Sequence, residues 1–413
     1  MKIVMFTESY WPRVNGVTIS VESFAAALRK NGHTVLIICP FYPQADLPPR
    51  LSLSNQENEG KIPESCIIRV PSVPLFISKE DRLSKSHKMF WVSKRIDKFE
   101  PDIIHINSEF VTADFGYYFA RTRMIPAIYT AHTLWKDYMV NYMPKLPMFV
   151  LRIILWIVMS LSIRRAYRVI TPSKAMYSVA MKYKPKKEPY ILPSGIDTSL
   201  FNNSKEDADK FREIIEMKYP NLKQKRILLF AGRVGREKNI DFILNIAPKI
   251  IERHPDTIFV IVGNGPDMFW YRAECDSRGI SGNIIFTGYM ERRDLSLMYS
   301  ISTLFVFPSL TETQGMVTIE AMISGIPVVA IGENGTLTVM NGDNGGFMVK
   351  NDIDEFTQRI FDLLEDKELY ARKSAEAREY ASNWSIEIMT KRLEEIYIKT
   401  INDYNNENTK PVK

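Results

Sequence analysis

Short apolar runs typical of buried β-strands alternate with helix-length segments along this chain, and the alternation occurs twice. The first series opens with "KIVMF", a segment with apolar residues at helical spacing, and "TVLIIC". The second series begins after "PSGID" with "RILLFAG" and continues with "TIFVIVG", "NIIFTG", "TLFVFPS" and "IPVVA". Strands connected through helices pair in parallel, and a parallel sheet needs helices on both faces. The sequence therefore predicts an α/β protein with two doubly wound domains in tandem.

The expected domain boundaries follow from the point at which the pattern restarts. A chain of 413 residues is long enough for two ordinary domains. We expect a first Rossmann-like domain over residues 1–195 and a second over residues 196–384. The final segment, residues 385–413, begins "SIEIMTKRLEEIYIKTIN" and has an apolar stripe at helical spacing. It predicts a helix that is able to cross back to the first domain.

The two halves of the chain differ in charge. Residues 1–195 carry 27 Lys and Arg against 15 Asp and Glu, whereas residues 196–413 carry 27 against 33. A basic first half indicates contact with an anionic partner, either nucleic acid or lipid headgroups. The basic residues are not interleaved with aromatic ones as in nucleic-acid recognition, which weakens the first alternative.

The cysteines give information about the cellular compartment. Cys39, Cys66 and Cys275 are odd in number and show no CxxC spacing, so neither a disulfide framework nor a zinc site is predicted. The apolar run at the amino terminus is shorter than that of a signal peptide. We therefore expect a cytoplasmic protein.

Ligands bind open parallel sheets beyond the carboxyl ends of the strands, so the loops at those ends are the first place to look for a site. The loop after "LLFAG" is "RVGREKN", which puts Arg233 and Lys238 between a strand and a helix that begins near Asn239. Arg binds phosphate through two parallel hydrogen bonds and Lys acts as a point charge, so the pair suits a diphosphate. Two solvated surface cations are the alternative. No GxxxxGK[ST] motif is present, which excludes a P-loop nucleotide hydrolase.

Two further motifs have structural explanations. The segment "GNGPD" is half of GxGxxG, and a tight turn with Pro266 as the first helical residue accounts for it. The Asp-x-Asp of "NDIDEF", Asp352 and Asp354, is expected to cap a helix rather than to bind a metal. We therefore expect no metal site.

The loop after "TLFVFPS" contains two carboxylates. In "LTETQGMVTIEAMIS", Glu312 precedes an expected helix and Glu320 lies on it. We expect Thr313 or a neighbour to cap that helix, Gly315 to let a ligand approach the backbone, and the amides of residues 314–317 to offer hydrogen bonds to an anion. The two carboxylates suit sugar hydroxyls, and Glu320 can accept two hydroxyls of a ribose.

Together these motifs resemble the retaining family 4 glycosyltransferases of GT-B fold, above all those that glycosylate diacylglycerol or related glycolipids. The resemblance includes "PRVNGVTISVESFAAALRKNGHTV" and "PSGID" and runs from residue 2 to about residue 381. It implies two domains that face a cleft. The residues it assigns to donor binding are Gly16, Arg233, Lys238, Gln314, Gly315, Met316, Val317 and Glu320. It assigns His132 and Glu312 to the catalytic centre, beside the donor sugar.

The acceptor side of these enzymes resembles "YTAHTLWKDYMVNYMPK", which contains His132. The resemblance implies that Trp135, Asp137 and Tyr138 face the acceptor. A structural histidine at a strand end is the alternative for His132. The sequence departs from the glycolipid enzymes at Lys136, where an acid is more common, and near Asn141, where a second His is common, so the acceptor stays open.

Residues 148–168, "MFVLRIILWIVMSLSIRRAYR", predict an apolar helix that is too short to span a bilayer. Two interpretations stay open. The helix lies in a membrane interface with Arg164, Arg165 and Arg168 on lipid phosphates, or it is a core helix of the first domain.

The resemblance implies a retaining, metal-independent hexosyltransferase that needs no cofactor. It would move a sugar from a nucleotide-sugar, with a UDP-sugar favoured, to a membrane lipid such as diacylglycerol or a glycolipid. We expect the protein to lie on the inner face of the cell membrane, with an anionic lipid surface and no nucleic acid as partner. Alternatives are a polysaccharide, lipopolysaccharide or soluble sugar acceptor, and a GDP-mannose-dependent mannosyltransferase. Outside the transferases, a nucleotide-sugar epimerase or a non-catalytic nucleotide-sugar-binding protein stays open.

Overall fold

The chain folds into two compact units. The computed structural model describes residues 1–13, 15–43, 62–75, 78–132, 147–333, 335–340 and 342–408. Unit 1 consists of Met1–Gly195 together with Ile386–Lys413, and unit 2 consists of Ile196–Ser385.

Unit 1 is built on a parallel sheet. Its strands are β1 (Lys2–Phe6), β2 (Thr34–Pro40), β3 (Ile67–Val70), β4 (Ser72–Leu75), β5 (Ser78–Ser84), β6 (Ile103–Ile106), β7 (Ala127–Thr130), β8 (Arg168–Thr171) and β9 (Tyr190–Ile191). Its helices are α1 (Gly16–Lys30), α2 (Met89–Phe99), α3 (Val111–Arg123), α4 (Met148–Arg165), α5 (Lys174–Met181) and, at the end of the chain, α14 (Ile386–Asn408). The sheet order is β3-β2-β1-β6-β7-β8-β9, and β4 and β5 form a separate antiparallel pair.

Both faces of the first sheet are covered. Ile3 and Met5 of β1 belong to one apolar cluster, whereas Val4 and Phe6 belong to another, because successive side chains of a strand point to opposite faces. The first cluster includes side chains of α1 and α14, and the second includes side chains of α2, α3 and α4. This arrangement confirms a doubly wound sheet.

The carboxy-terminal helix α14 returns to unit 1, as the sequence predicted. Its apolar stripe, which includes Leu393 and Tyr397, packs in the same cluster as Val21 and Leu28 of α1. The chain before α14 passes close to Gly195, where a Cβ would lie 2.5 Å from the Cα of Ile386. Only glycine permits this approach.

Unit 2 is a second parallel sheet with the order β12-β11-β10-β13-β14-β15. Its strands are β10 (Arg226–Ala231), β11 (Thr257–Val262), β12 (Ile284–Gly288), β13 (Leu304–Phe307), β14 (Val328–Ile331) and β15 (Gly346–Val349). Its helices are α6 (Lys205–Lys218), α7 (Ile240–Arg253), α8 (Met268–Ser277), α9 (Arg292–Ser300), α10 (Met316–Ile323), α11 (Thr336–Val339), α12 (Ile353–Glu365) and α13 (Lys367–Ser382). The strand order reverses between β10 and β13, which are paired neighbours.

Two local predictions in unit 2 have opposite outcomes. The Asp352 carboxylate accepts a hydrogen bond from the Glu355 amide at 2.8 Å and caps α12, as predicted. The prediction for Pro266 was wrong, since α8 begins at Met268. The turn before α8 is set instead by contact with the loop after β10, because a Cβ on Gly265 would lie 2.1 Å from the carbonyl oxygen of Val234.

Candidate functional site

The loops after β10 and β13 lie next to each other at the carboxyl edge of the second sheet. This is the point where the strand order reverses, and ligands of open α/β sheets bind at such points. Side chains join the two loops: Asn239 Nδ2 donates to the Pro308 carbonyl at 3.1 Å, and Thr311 Oγ1 donates to the Glu237 carbonyl at 3.0 Å. The two loops therefore form one local surface in unit 2.

Lys238 and Glu312 form an ion pair on this surface. The Nζ of Lys238 contacts Oε1 of Glu312, and Ser309 Oγ donates to the same oxygen at 3.3 Å. Both charged side chains are largely shielded from solvent. Lys238 is placed by the turn that ends at Asn239, whose left-handed backbone (φ 56°) starts α7. The structure thus brings together two residues that the sequence places 74 positions apart.

Arg233 provides a second cation at the same edge. It follows β10 directly, and its Nη1 lies 3.6 Å from Oε1 of Glu237. Its side chain is 39% exposed, so the guanidinium reaches solvent at the mouth of the loop. Glu237 lies in the turn that positions Lys238, and its carboxylate neutralises part of the charge of Arg233.

The helix after the second loop, α10, begins at Met316 and is preceded by Gly315 at the N-cap position. Gly315 has φ 75° and ψ 39°, and no described side chain caps the helix, so the prediction of a side-chain cap by Thr313 or a neighbour was wrong. A left-handed N-cap favours glycine because a side chain there is strained. The amides of Met316 and Val317 belong to the first turn of α10 and have no partner within the helix.

Gln314 is buried just before this helix. It is 8% exposed, and its Nε2 donates to Sδ of Met316 at 2.8 Å. The carbonyl of Glu312 accepts the Gly335 amide at 2.7 Å, which ties the loop to the segment before α11. The predicted donor-side residues of this loop are thus held by backbone and side-chain contacts on both sides.

Glu320 is a buried carboxylate on α10. Its Oε2 accepts a hydrogen bond from the Tyr299 hydroxyl at 3.2 Å, and Nη2 of Arg292 lies 3.8 Å from Oε1. Burial raises the pKa of Glu320, while Arg292 and the Tyr299 hydroxyl act in the opposite direction. A carboxylate accepts about four hydrogen bonds, so these two contacts leave capacity for ligand hydroxyls.

Arg292 and Tyr299 were missed by the sequence reasoning. Arg292 is the first residue of α9 and follows β12 in the segment "GYMERRD", much as Arg233 follows β10. A cation after a strand end was the signal that could have identified it. Tyr299 offered no such signal, because a tyrosine on a helix is more often a core residue.

The first unit presents Gly16 at the start of α1. The Asn15 side chain accepts the Thr18 amide at 2.9 Å and caps the helix. Gly16 is exposed, and among the described residues no atom lies within 4 Å of the place that a Cβ would take. Its described surroundings therefore leave room for a side chain, and close approach of a ligand stays the prediction for this position.

His132 lies just beyond the end of β7, close to the end of β6. Its Nε2 is 3.0 Å from Oδ1 of Asn107, and because an amide oxygen only accepts, the ring carries its proton on Nε2. Burial lowers the pKa of His132 to about 4, so the ring is neutral at pH 7. Its Nδ1 is then a hydrogen-bond acceptor. Asn107, the partner that sets this tautomer, was not identified from the sequence.

Glu8 is a buried carboxylate of unit 1 that was not identified from the sequence. Its two oxygens accept the amides of Ser84 at 2.5 Å and Thr112 at 2.9 Å. Burial raises the pKa of Glu8, and the two backbone hydrogen bonds oppose that shift. These bonds fasten the loop after β1 to the end of β5 and the start of α3. A carboxylate directly after a buried strand was the available signal.

The predicted acceptor-side residues Trp135, Asp137 and Tyr138 lie outside the described residues. The structure does place the apolar helix that follows them. The first two turns and the middle of α4 expose large side chains, among them Phe149 (66% exposed), Ile153 and Trp156 (57% exposed), while Met159 and Ile163 near its end are buried. In the described part of the chain no helix has both the length and the apolar character needed to cross a bilayer.

The arginines at the end of α4 and the start of β8 differ in their contacts. Arg165 pairs with Asp114 of α3, and Arg168 pairs with Asp403 of α14 and is only 11% exposed. The prediction that Arg168 contacts lipid phosphates was therefore wrong, because its guanidinium holds α14 against β8. Arg164 is exposed. The helix α4 is thus buried along one side, at Leu151, Met159 and Ile163, and exposes apolar side chains along the other.

Two family models match the chain: Glycosyltransferase Family 4 over residues 14–200 and Glycosyl transferases group 1 over residues 211–380. Alpha-monoglucosyldiacylglycerol synthase of Streptococcus pneumoniae is 29% identical over 333 residues, which is 80% of this chain and 71% of the relative. The protein of the same name from Acholeplasma laidlawii is 26% identical over 413 residues, 98% of each chain. The crystal structure of Anabaena HepE in complex with UDP and glucose superposes with a TM-score of 0.74 at 16% identity, covering 97% of this chain and 100% of that chain.

The matched models together span most of both units, and the shared architecture is that of the GT-B glycosyltransferases. The chain belongs to the glycosyltransferases that combine a family 4 domain with a group 1 domain. It is a hexosyltransferase, and the resemblance to family 4 glycosyltransferases of GT-B fold, including the glycolipid synthases, is confirmed.

Proposed function

We propose that this enzyme transfers glucose from UDP-glucose to diacylglycerol at a membrane surface, with retention of anomeric configuration and without a metal ion. The names of the two synthases support the sugar and the acceptor. The UDP and glucose bound by HepE support the nucleotide. The observation that most supports a lipid acceptor is the exposed apolar surface of α4 in unit 1.

Unit 2 would hold the donor at the edge of β10 and β13. When the sugar leaves, negative charge develops on the diphosphate, and fixed cations opposite that charge lower the barrier without reorganisation. Arg233, Lys238 and the first amides of α10 lie at this edge. In this proposal they do the work that a divalent cation does in other transferases.

The two glutamates would hold the sugars of the donor. Lys238 and Ser309 both contact Oε1 of Glu312, which leaves Oε2 to accept a hydroxyl of the transferred glucose. Glu320 would accept the ribose hydroxyls, with Tyr299 and Arg292 fixing its carboxylate. Gln314 and the left-handed Gly315 let the backbone lie along the sugar and phosphate.

Unit 1 would supply His132 and Gly16. The neutral His132 ring has its Nε2 proton engaged by Asn107, so Nδ1 is the atom that accepts a donor-sugar hydroxyl. We assign no side chain as a covalent nucleophile. The acceptor hydroxyl would attack from the face that the diphosphate leaves, and the departing phosphate oxygen would take its proton, which gives retention.

The apolar surface of unit 1 would place the enzyme on the inner face of the cell membrane. Phe90 and Tyr118 lie on α2 and α3 with ring centroids 6.4 Å apart, and both are exposed. The helix α4 joins α3 through the Tyr117 hydroxyl, which donates to the Ser162 carbonyl at 2.7 Å. Exposed aromatic and aliphatic side chains on neighbouring helices insert readily into a lipid interface.

A donor and acceptor panel tests this proposal. The purified protein is mixed with phosphatidylglycerol vesicles with or without dioleoylglycerol and with radiolabelled UDP-glucose, UDP-galactose, UDP-N-acetylglucosamine or GDP-mannose. We expect label in the lipid phase from UDP-glucose only, and only when dioleoylglycerol is present. Label released only as free sugar, with or without dioleoylglycerol, would indicate donor hydrolysis and would contradict the lipid acceptor. Interconversion of the donor without an acceptor would indicate an epimerase, and binding without turnover a carrier protein.

A further inference from the structure

A second histidine of unit 1, His105, lines the same small cavity as His132. His105 is in the middle of β6, is 4% exposed, and has a hydrogen-bond partner on each ring nitrogen. Its Nδ1 is 2.6 Å from the hydroxyl of Tyr397 on α14, and its Nε2 is 2.7 Å from Oγ1 of Thr130 at the end of β7. The Tyr397 ring packs edge-on against the imidazole, with centroids 5.6 Å apart at 81°.

The residues that hold His132 are placed by the same two strands. Strands β6 and β7 are paired in parallel, with His105 opposite Ile128, so Thr130 and Asn107 each lie two residues further along. Asn107 Nδ2 donates to the His105 carbonyl at 3.4 Å, and its Oδ1 accepts from His132. The side chain of His105 thus bridges Tyr397 to β7, and its backbone supports Asn107.

Packing alone does not fix the orientation of the His105 and His132 rings. A cavity of about 10 Å³, room for roughly one water molecule, lies between them. Its lining includes Ser20, Ser194, Phe24 and Leu393 in addition to the two histidines. Among the described lining residues, the two histidines are the only titratable side chains. A ring beside a cavity has room to turn, so its hydrogen bonds decide its orientation.

We propose that Tyr397 is a positioning residue for His132: from the carboxy-terminal helix it holds His105, and His105 holds the ends of β6 and β7 in the register that presents His132 Nδ1 to the substrate. This inference rests on the role of His132 in the proposed function. It assigns to α14 a part in the reaction besides covering the sheet. Tyr397 touches no substrate in this scheme and acts only through His105 and Thr130.

Histidine NMR tests the positioning independently of activity. The chain has 5 histidines, so the imidazole signals of ¹⁵N-histidine protein can be assigned with one His132→Asn spectrum. In the wild type we expect His132 as the Nε2–H tautomer, neutral at pH 6. In Tyr397→Phe we expect its nitrogen shifts to average between tautomers and its titration midpoint to rise. Tyr404→Phe, the same change two turns further along α14, should leave the His132 signals unchanged, since Tyr404 packs on Tyr167.

Steady-state kinetics tests the consequence for transfer. We expect Tyr397→Phe to lower kcat about tenfold with the KM for UDP-glucose unchanged, because a small misplacement of a reacting group affects the chemical step. Thr130→Val, which removes the partner on the other side of His105, should reproduce both the NMR change and the loss of kcat. Thr130→Ser keeps the hydroxyl and should retain the wild-type His132 signals and the wild-type kcat.

The outcomes separate this inference from the proposed function. His132 signals in Tyr397→Phe and Thr130→Val identical to those of the wild type would overturn the positioning role, whatever the activity. Changed signals with unchanged kcat would overturn it as well, since His132 would then be moved without effect. If the wild type transfers no sugar from any donor while the His132 signals still change, the proposed function fails and the structural link from Tyr397 to His132 stands.

Discussion

The buried His105 should make the stability of this protein depend on pH in a way that one substitution removes. Burial lowers the pKa of His105 to about 3, and repulsion from His132, where that ring is protonated, acts in the same direction. In the unfolded chain the pKa of His105 has its ordinary value of about 6.5. Below that pH the unfolded chain therefore binds more protons at this site than the folded chain does. The stability that a neutral His105 provides is complete above pH 6.5 and is lost as the pH falls towards 3.

The size of this effect follows from the two pKa values. Between pH 7 and pH 5 the unfolded state gains about three quarters of a proton at this site while the folded state gains almost none, which costs about 2 kcal/mol of unfolding free energy. His105→Gln keeps two hydrogen-bonding groups and removes the titration. Urea unfolding of both proteins at pH 7 and pH 5 gives the difference, in which the contributions of other groups cancel.

We expect the wild type to lose about 2 kcal/mol more than His105→Gln over this interval. Equal losses in the two proteins would show that His105 is not held neutral in a buried site, and the network from Tyr397 to His132 would lose its basis. Because the chain has two units, the transition should be followed with a probe in unit 1, such as hydrogen exchange of the β6 amides.

Three further predictions concern the donor, the metal and the membrane. Glu320→Ala should weaken UDP binding in calorimetry by ~1–3 kcal/mol, because Arg292 and the ribose hydroxyls lose their partner; unchanged affinity would contradict the ribose assignment. Transfer should persist in EDTA, and a strict requirement for Mn²⁺ or Mg²⁺ would refute catalysis by Arg233 and the α10 amides. Trp156→Ser should reduce sedimentation with phosphatidylglycerol vesicles at low salt. The control is Met217→Ser, which changes an exposed apolar residue of unit 2 and should leave sedimentation unchanged. Equal sedimentation of the two variants would contradict docking through α4.

The architecture was predictable because the apolar pattern of each buried strand is visible in the sequence. The runs that became β1, β10 and β13 are flanked by polar residues and follow one another at the spacing of a doubly wound sheet. The strands β4 and β5 were not predicted. Their sequences, "SVPL" and "SKEDRLS", are polar or contain proline, so the antiparallel pair has no apolar signature.

The loop arrangement of the proposed donor site was also partly predictable. Because the strand order fixes which loops become neighbours, Lys238 and Glu312 could be placed at one edge before their contact was known. The exact start of α10 could not be placed, since a left-handed glycine occupies the N-cap position and no side chain of Thr313 or a neighbour caps the helix. Side-chain capping and backbone conformation compete there within a fraction of a kcal/mol.

The network beneath His132 could not have been found from the sequence. His105 and Tyr397 are 292 positions apart and meet only because α14 returns to the first sheet. A buried histidine in "DIIHI" and a tyrosine in an apolar stripe each look like ordinary core residues. Their hydrogen bond depends on the tertiary packing of α14, which no local pattern specifies.

The identity and stereochemistry of the reaction product test the central claim most directly. Wild-type protein is incubated with UDP-glucose and dioleoylglycerol in vesicles containing EDTA, and the labelled lipid is purified and examined by proton NMR. The account predicts glucosyldiacylglycerol whose anomeric proton shows the small coupling of the α configuration, the same as in the donor. A β-linked product would contradict retention, and the absence of any glycosylated lipid, with UDP-glucose consumed or intact, would contradict the lipid acceptor itself.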